Sequence, residues 1–271
     1  MTIRLRNRIT FFFSLISLAL FILSVIAITL KYIKNSFIIP DIYIKGSSSS
    51  PLLSFNSNCV IISILILLAY VYITSFIIYR SFEKSQATDM LFFLIFLAAC
   101  MIDTARIVIT SIPFSGAYSN LLLKIGNITL FARLLAPLAL FGATVLSQEE
   151  FHQYTEQNCL IIIIAALFFA GIIPLNSAYI MPNFSIGYGY IKSIHYLTFT
   201  ICAISTFGLF IINKKNEYNQ LMTLGFAILC IGYSIVFESY NILMTIIGPI
   251  LLGLGTTIYL SEVHKRYLWL D

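Results

Sequence analysis

Charge is what this sequence has least of. Asp, Glu, Lys and Arg make up only 10% of its 271 residues, where a soluble domain carries roughly 25%. So few charges cannot cover a water-facing globule of this length, and a soluble domain is excluded. Metal-ligand spacing is also lacking. The histidines His152, His195 and His264 are scattered and no HExxH occurs, so a zinc site has no support. The cysteines Cys59, Cys100, Cys159, Cys202 and Cys230 are odd in number, and none has redox or metal spacing. They read as small apolar packing residues with no disulfide framework.

Catalytic motifs are absent in the same way. There is no GxSxG. Ser81 and Lys84 match S-x-x-K, but the partner motifs are missing, and the segment reads as a charged loop at a helix end. Gly248, Gly253 and Gly255 do not follow a strand, which excludes a nucleotide loop and leaves close helix packing. No lysine lies in the seventh apolar run, so a retinal Schiff base of the rhodopsin type is excluded. Asn183-Phe-Ser185 fits a glycosylation sequon, a match that chance supplies often. With no nucleophile–base constellation and no cofactor motif, the expectation is a non-enzymatic protein without a cofactor.

What the sequence has in abundance is apolar residues, 59% of the chain, in blocks of about 20, the length that spans a bilayer as a helix. Only helices and closed barrels satisfy the backbone in lipid, and runs of this length without strict alternation choose helices. The expected fold is therefore all-α, a polytopic transmembrane bundle in one integral membrane domain. Its spans are 9–30, 59–79, 90–112, 121–146, 159–175, 194–212, 220–238 and 242–260. A count of seven arises if the last two runs form one re-entrant unit, because the turn at 239–241 is very short. Arg4, Arg6 and Arg8 precede the first run, which is too long for a signal peptide and has no small-x-small cleavage site. It reads as a signal anchor.

Loop charge sets the orientation. With the N-terminus inside, the inner segments hold Arg4, Arg6, Arg8, Arg80, Lys84, Lys214, Lys215, Lys265 and Arg266; the outer ones hold Lys31, Lys34, Lys45 and Lys192. The excess favours both termini inside. The net charge of +5 thus reflects topology, and nucleic acid is not an expected partner. The lipid bilayer is the expected partner, and a bacterial inner or plasma membrane the expected location.

Polar residues inside the spans are the informative positions. Asp103 and Arg106 share one face of the third span. Two central charges cost about 5–7 kcal/mol, and about a dozen Leu, Ile, Phe and Val residues in that run return roughly 4–7 kcal/mol. The helix inserts with little surplus, so the pair is expected to face protein or water rather than lipid, with snorkelling toward the outer face open to Arg106. The fourth span carries Lys124, Asn127 and Arg133. Arg133 points roughly opposite to Lys124, and Pro137 frees the Arg133 carbonyl and bends the helix there. His195 begins the sixth span and Glu238 ends the seventh. Asp103, Arg106, Lys124, Asn127, Arg133, His195 and Glu238 are the expected ligand-binding group, a polar cavity in the outer half for a small molecule or ion. The aromatic loop around Tyr179, Phe184, Tyr188 and Tyr190, hinged at Pro182, Gly187 and Gly189, is expected to cover it. A purely structural ion pair between the third and fourth spans is the competing reading.

In outline, seven or eight spans with a short basic exit through Lys265 and Arg266 resemble bacterial membrane sensor modules, which feed a kinase, cyclase or phosphodiesterase domain. The likeness is architectural and no motif carries it. The expected function is a non-enzymatic sensor or receptor-like module acting through a separate cytoplasmic signalling partner, or as a piece of a longer protein. The alternatives are a transporter or permease subunit and a structural membrane subunit with only an intramembrane ion pair.

Overall fold

The computed structural model describes residues 3–34, 52–83, 89–112, 116–146 and 155–268. Lys45, Lys84 and His152, named in the sequence, lie outside them. Eight helices organise the described chain: α1 (Ile3–Ile33), α2 (Ser57–Ser81), α3 (Asp89–Asp103), α4 (Ser119–Phe141), α5 (Thr155–Ile172), α6 (Ile191–Lys215), α7 (Leu221–Phe237) and α8 (Ile242–Leu268). Seven helical segments are long and apolar enough to cross a membrane. The helix α7, with 17 residues, is shorter, about 25 Å at 1.5 Å per residue.

The polar residues within these helices keep their hydroxyls on their own backbone. Ser63 donates to the Val60 carbonyl at 2.8 Å, Ser205 to Ile201 at 2.7 Å and Thr256 to Leu252 at 2.7 Å. An apolar surround offers few other partners, so the helix supplies the acceptor; Thr256 also meets the Tyr70 hydroxyl of α2 at 2.8 Å. The helix α4 is the most buried and packs against α3, α5 and α6. Phe92, Phe93 and Phe96 of α3 fill the core with Leu134, Leu135 and Leu140 of α4 and with Phe226, Tyr233 and Tyr259. By contrast, α1, α5 and α6 leave most of their apolar side chains exposed, as lipid-facing helices do.

The helices α7 and α8 form a close antiparallel hairpin. Glycines seven apart face each other across it: Gly225 and Gly232 on one helix, Gly248 and Gly255 on the other. A Cβ on Gly232 would lie 2.3 Å from the Leu252 nitrogen, and one on Gly255 2.3 Å from the Leu229 nitrogen. The two backbones therefore touch where only glycine fits. Gly248 and Gly255 occupy the close-packing positions expected of them. Gly253 does not, because its added Cβ would meet nothing within 4 Å.

Contacts at both ends show the helices alternating in direction. At one end Arg6 donates to the Phe82 carbonyl at 2.5 Å and Tyr267 to Asp89 at 3.4 Å. At the other, the Asn56 amide donates to the Tyr240 carbonyl at 2.9 Å, and Lys31 hydrogen-bonds Ser111.

Three regions depart from the expected all-α spans. The third span is not one α-helix: after Asp103 it tightens into a 3₁₀ segment, Thr104–Ser111. The fourth ends in a π-helical turn, Gly142–Leu146. The aromatic loop is an antiparallel β-hairpin, β1 (Leu175–Ile180) with β2 (Ile186–Tyr188). Its tyrosines and isoleucines suit a pleated, half-buried surface. The last helix runs on through the basic exit to Leu268, as the tail's composition suggests.

Candidate functional site

The site begins where α3 changes pitch. In a 3₁₀ turn residues three apart eclipse one another. The change at Asp103 thus sets Arg106 beside it, Nε 3.3 Å from Oδ2, with both side chains nearly inaccessible (2% and 0%). Thr104 at the junction donates back to the Met101 carbonyl at 2.6 Å. Arg106 does not take the outward snorkelling open to it. Its Nη1 donates to two backbone carbonyls, Asn183 at 3.1 Å and Phe237 at 3.0 Å. A bound acceptor inside the protein replaces the water that snorkelling would seek.

The β-hairpin supplies the second wall. At its tip Phe184 has φ 62°, a left-handed conformation that a bulky residue rarely adopts. The Asn183 side chain closes this turn by accepting from the Ser185 hydroxyl at 2.6 Å and its amide at 3.3 Å. The ring of Phe184 is fully buried with Val60, Ile61 and Ile64 of α2. The hairpin tip is thus a wedge packed against α2. Gly187 and Gly189 are packing positions, because a Cβ there would strike Tyr179 at 2.4 Å and Pro174 at 2.9 Å. Asn183 and Ser185 are 1% and 2% exposed, so the sequon is a buried turn.

Arg133, one turn before Pro137 in α4, joins the hairpin to α7. Its Nη1 donates to the Tyr188 hydroxyl at 2.6 Å and its Nη2 to the Ser185 hydroxyl at 2.7 Å. Its guanidinium carbon lies 3.7 Å from the Phe237 ring centre, a desolvated cation–π stack. Glu238, just past α7, approaches from the other side. Its Oε1 is 3.9 Å from Arg133 Nη1 and 3.8 Å from His195 Nε2. These are ion-pair distances, too long for direct hydrogen bonds. Burial pushes the Tyr188 phenol above its ordinary value, and Arg133 opposes that rise.

Arg133, His195 and Glu238 face a cavity of about 140 Å³. Tyr188, Thr198, Phe199, Tyr233, Ser234 and Phe237 also line it. Arg133 Nε and Glu238 Oε1 are buried and make no hydrogen bond. Two cations and two anions, Arg106 and Arg133 with Asp103 and Glu238, leave the cluster electrically balanced.

Of the seven residues singled out in the sequence, five meet here and separate into two groups. Arg133, His195 and Glu238 line the cavity; Asp103 and Arg106 stand beside it and do not. Lys124 and Asn127 are exposed on α4 and join neither group. Sequence reasoning missed Phe237, read Asn183 and Ser185 only as a chance sequon, and placed Tyr188 only in a covering loop. The turn residues Pro182 and Asn183 between aromatic flanks were the available signal for the hairpin. Among the described residues no group of three His, Cys, Asp or Glu side chains is placed to hold a metal ion. All five cysteines are buried and free. No family model, curated protein or solved structure matches the chain.

Proposed function

We propose that the chain is a non-enzymatic, receptor-like sensing module of a cell membrane, with its ligand site in the outer half of the bundle. The observation that carries this reading is the cavity at Arg133, His195 and Glu238. Glu238 stands 3.9 Å from the Arg133 cation and 3.8 Å from His195, too far for direct hydrogen bonds and close enough for one bound group to reach all three. Such a group would draw on Arg133 and Glu238 together. Arg133 holds the hairpin through Ser185 and Tyr188, and Glu238 caps the α7–α8 hairpin, whose far end carries Lys265 and Arg266. A ligand that binds one arrangement of these elements more tightly shifts the population toward it. The basic exit is then the surface offered to a separate cytoplasmic partner.

A structural role is favoured for Asp103 and Arg106, because Arg106 is fully enclosed and spends Nη1 on two carbonyls. A thermal-shift screen of the detergent-solubilised protein tests the division. A stabilising ligand is expected, with its shift lost in Arg133→Gln. Arg106→Ala is expected to lower the baseline melting temperature. Uptake into tight vesicles that depends on Arg133 would overturn sensing in favour of transport.

A further inference from the structure

The polar cavity does not end at Glu238. Phe199 and Ser234 line it and also line a second, larger groove of about 600 Å³ between α6 and α7. The other walls of that groove are apolar, among them Ala203, Phe207, Phe210, Ala227, Ile231 and Ile235. Two of its hydroxyls are turned onto their own helices, and the third, Thr223 at the far end, is held by the side chains of Asn213 and Gln220. Thr206 donates to the Cys202 carbonyl at 2.8 Å and Ser234 to Cys230 at 2.9 Å. Along α6 the groove runs from Phe199 to Phe210, about 16 Å at 1.5 Å per residue. Its polar end lies near the start of α6 and the end of α7, and from there its apolar length runs along α6 to Phe210 and along α7 as far as Thr223, near the start of that helix.

We propose that the α6–α7 seam binds one membrane lipid, its zwitterionic phosphoethanolamine-type headgroup in the polar cavity and an acyl chain in the groove. This rests on the receptor reading and names its ligand class. Charge decides the head. The cavity lining holds Arg133 and Glu238, one charge of each sign. A purely anionic head sets its charge against Glu238, and a purely cationic one is opposed by Arg133. A zwitterion engages both: its phosphate accepts from Arg133 Nε and His195, and its ammonium donates to Glu238. The ammonium needs an N–H, which a quaternary ammonium lacks, because the buried Oε1 of Glu238 has no hydrogen-bond donor; a primary ammonium supplies three. Size agrees. About 140 Å³ equals four to five waters at about 30 Å³ each, room for a compact head. The orientation, head at one end of the seam and chain along the helix axes, is that of a lipid lying beside transmembrane helices.

The test is thermal unfolding of the full chain in maltoside micelles doped with dioleoyl phosphatidylethanolamine, the phosphatidylcholine or phosphatidylglycerol analogue, or soluble O-phosphoethanolamine. Phosphatidylethanolamine is expected to raise the melting temperature by several degrees and the other three to leave it nearly unchanged. Glu238→Gln is expected to remove that rise. Ala203→Trp, which fills the groove and leaves the polar cluster intact, is expected to remove it as well. Equal stabilisation by phosphatidylcholine or phosphatidylglycerol would overturn the headgroup assignment. Equal stabilisation by O-phosphoethanolamine would overturn the role of the groove. If no lipid acts but a soluble compound stabilises the protein through Arg133, the lipid inference falls and the receptor reading stands. If neither lipids nor soluble compounds act, both fall.

Discussion

Arg133 lies with its guanidinium carbon 3.7 Å from the ring centre of Phe237, while the carbonyl of Phe237 accepts from Arg106 at 3.0 Å. One residue at the end of α7 therefore holds both buried arginines, the first by its ring and the second by its backbone. Asn183 donates to the same carbonyl at 3.2 Å. The hairpin, the 3₁₀ segment, α4 and α7 converge on this point.

Substitution at Phe237 separates the ring from the carbonyl. Phe237→Ala keeps the carbonyl acceptor for Arg106 but removes the ring 3.7 Å from Arg133 and, further off, 5.4 Å from Arg106. The loss is a core truncation of about 3–5 kcal/mol with a cation–π contribution of about 2 kcal/mol or less inside it. Phe237→Leu restores most of the volume and none of the quadrupole. Its melting temperature should fall between those of wild type and the alanine variant. Identical melting temperatures for leucine and wild type would show that the stack contributes nothing.

Asp103 and Arg106 should behave as one unit. Removing one partner of a buried pair leaves an uncompensated charge, at a cost of about 3–5 kcal/mol. Arg106→Met and Asp103→Leu should each lower stability by roughly that much, and the double variant by much less than their sum. A double-mutant cycle on thermal unfolding measures the coupling. Additive losses would mean that Asp103 draws its stabilisation from elsewhere in the cluster.

The helices were legible because the bilayer imposes a length, and composition alone marks runs that reach it. Asp103, Arg106, Arg133, His195 and Glu238 were legible for the converse reason: a charge in an apolar run has a cost that some partner must offset. What joins them was not legible. The 3₁₀ segment carries no Pro or Gly at its start, only Thr104, whose back-bond to Met101 is no rarer than those of other hydroxyls in these helices. That Arg106 would not snorkel was hidden because its acceptors, the carbonyls of Asn183 and Phe237, lie 77 and 131 residues away. Lys124 looked equivalent to Arg133 by type, yet it lies on the exposed side of α4. Phe184 gave no hint of a left-handed turn, because tertiary packing against α2 and not local preference places it there.

The α7–α8 hairpin makes a sharper forecast than the rest of the bundle. Gly232→Leu or Gly255→Leu must push apart backbones whose nearest atoms would stand 2.3 Å from a new Cβ. Each should lower the yield of folded, monodisperse protein strongly. Gly253→Leu, on the same helix but with open space around it, should be tolerated and should slightly raise helix propensity. Size-exclusion profiles of the three variants decide it; equal behaviour of Gly253→Leu and Gly255→Leu would refute close packing.

Tyr188 links the site to alkaline stability. Burial raises its phenol above the ordinary value, against the pull of Arg133. In the unfolded chain a tyrosine loses its proton near pH 10, while the folded one retains it to higher pH. The folded state then holds more protons than the unfolded state, so stability falls as pH rises. The contribution is fully present below about pH 10 and is lost as pH climbs through the folded value. Tyr188→Phe removes this proton and also the acceptor of the 2.6 Å bond from Arg133. The variant should therefore be less stable at neutral pH by about 1–3 kcal/mol, the cost of an unsatisfied buried donor. Its melting temperature should also decline less steeply above pH 10 than that of wild type, so the two curves converge. Curves that stay parallel from about pH 8 to about pH 11 would place the alkaline sensitivity on other tyrosines.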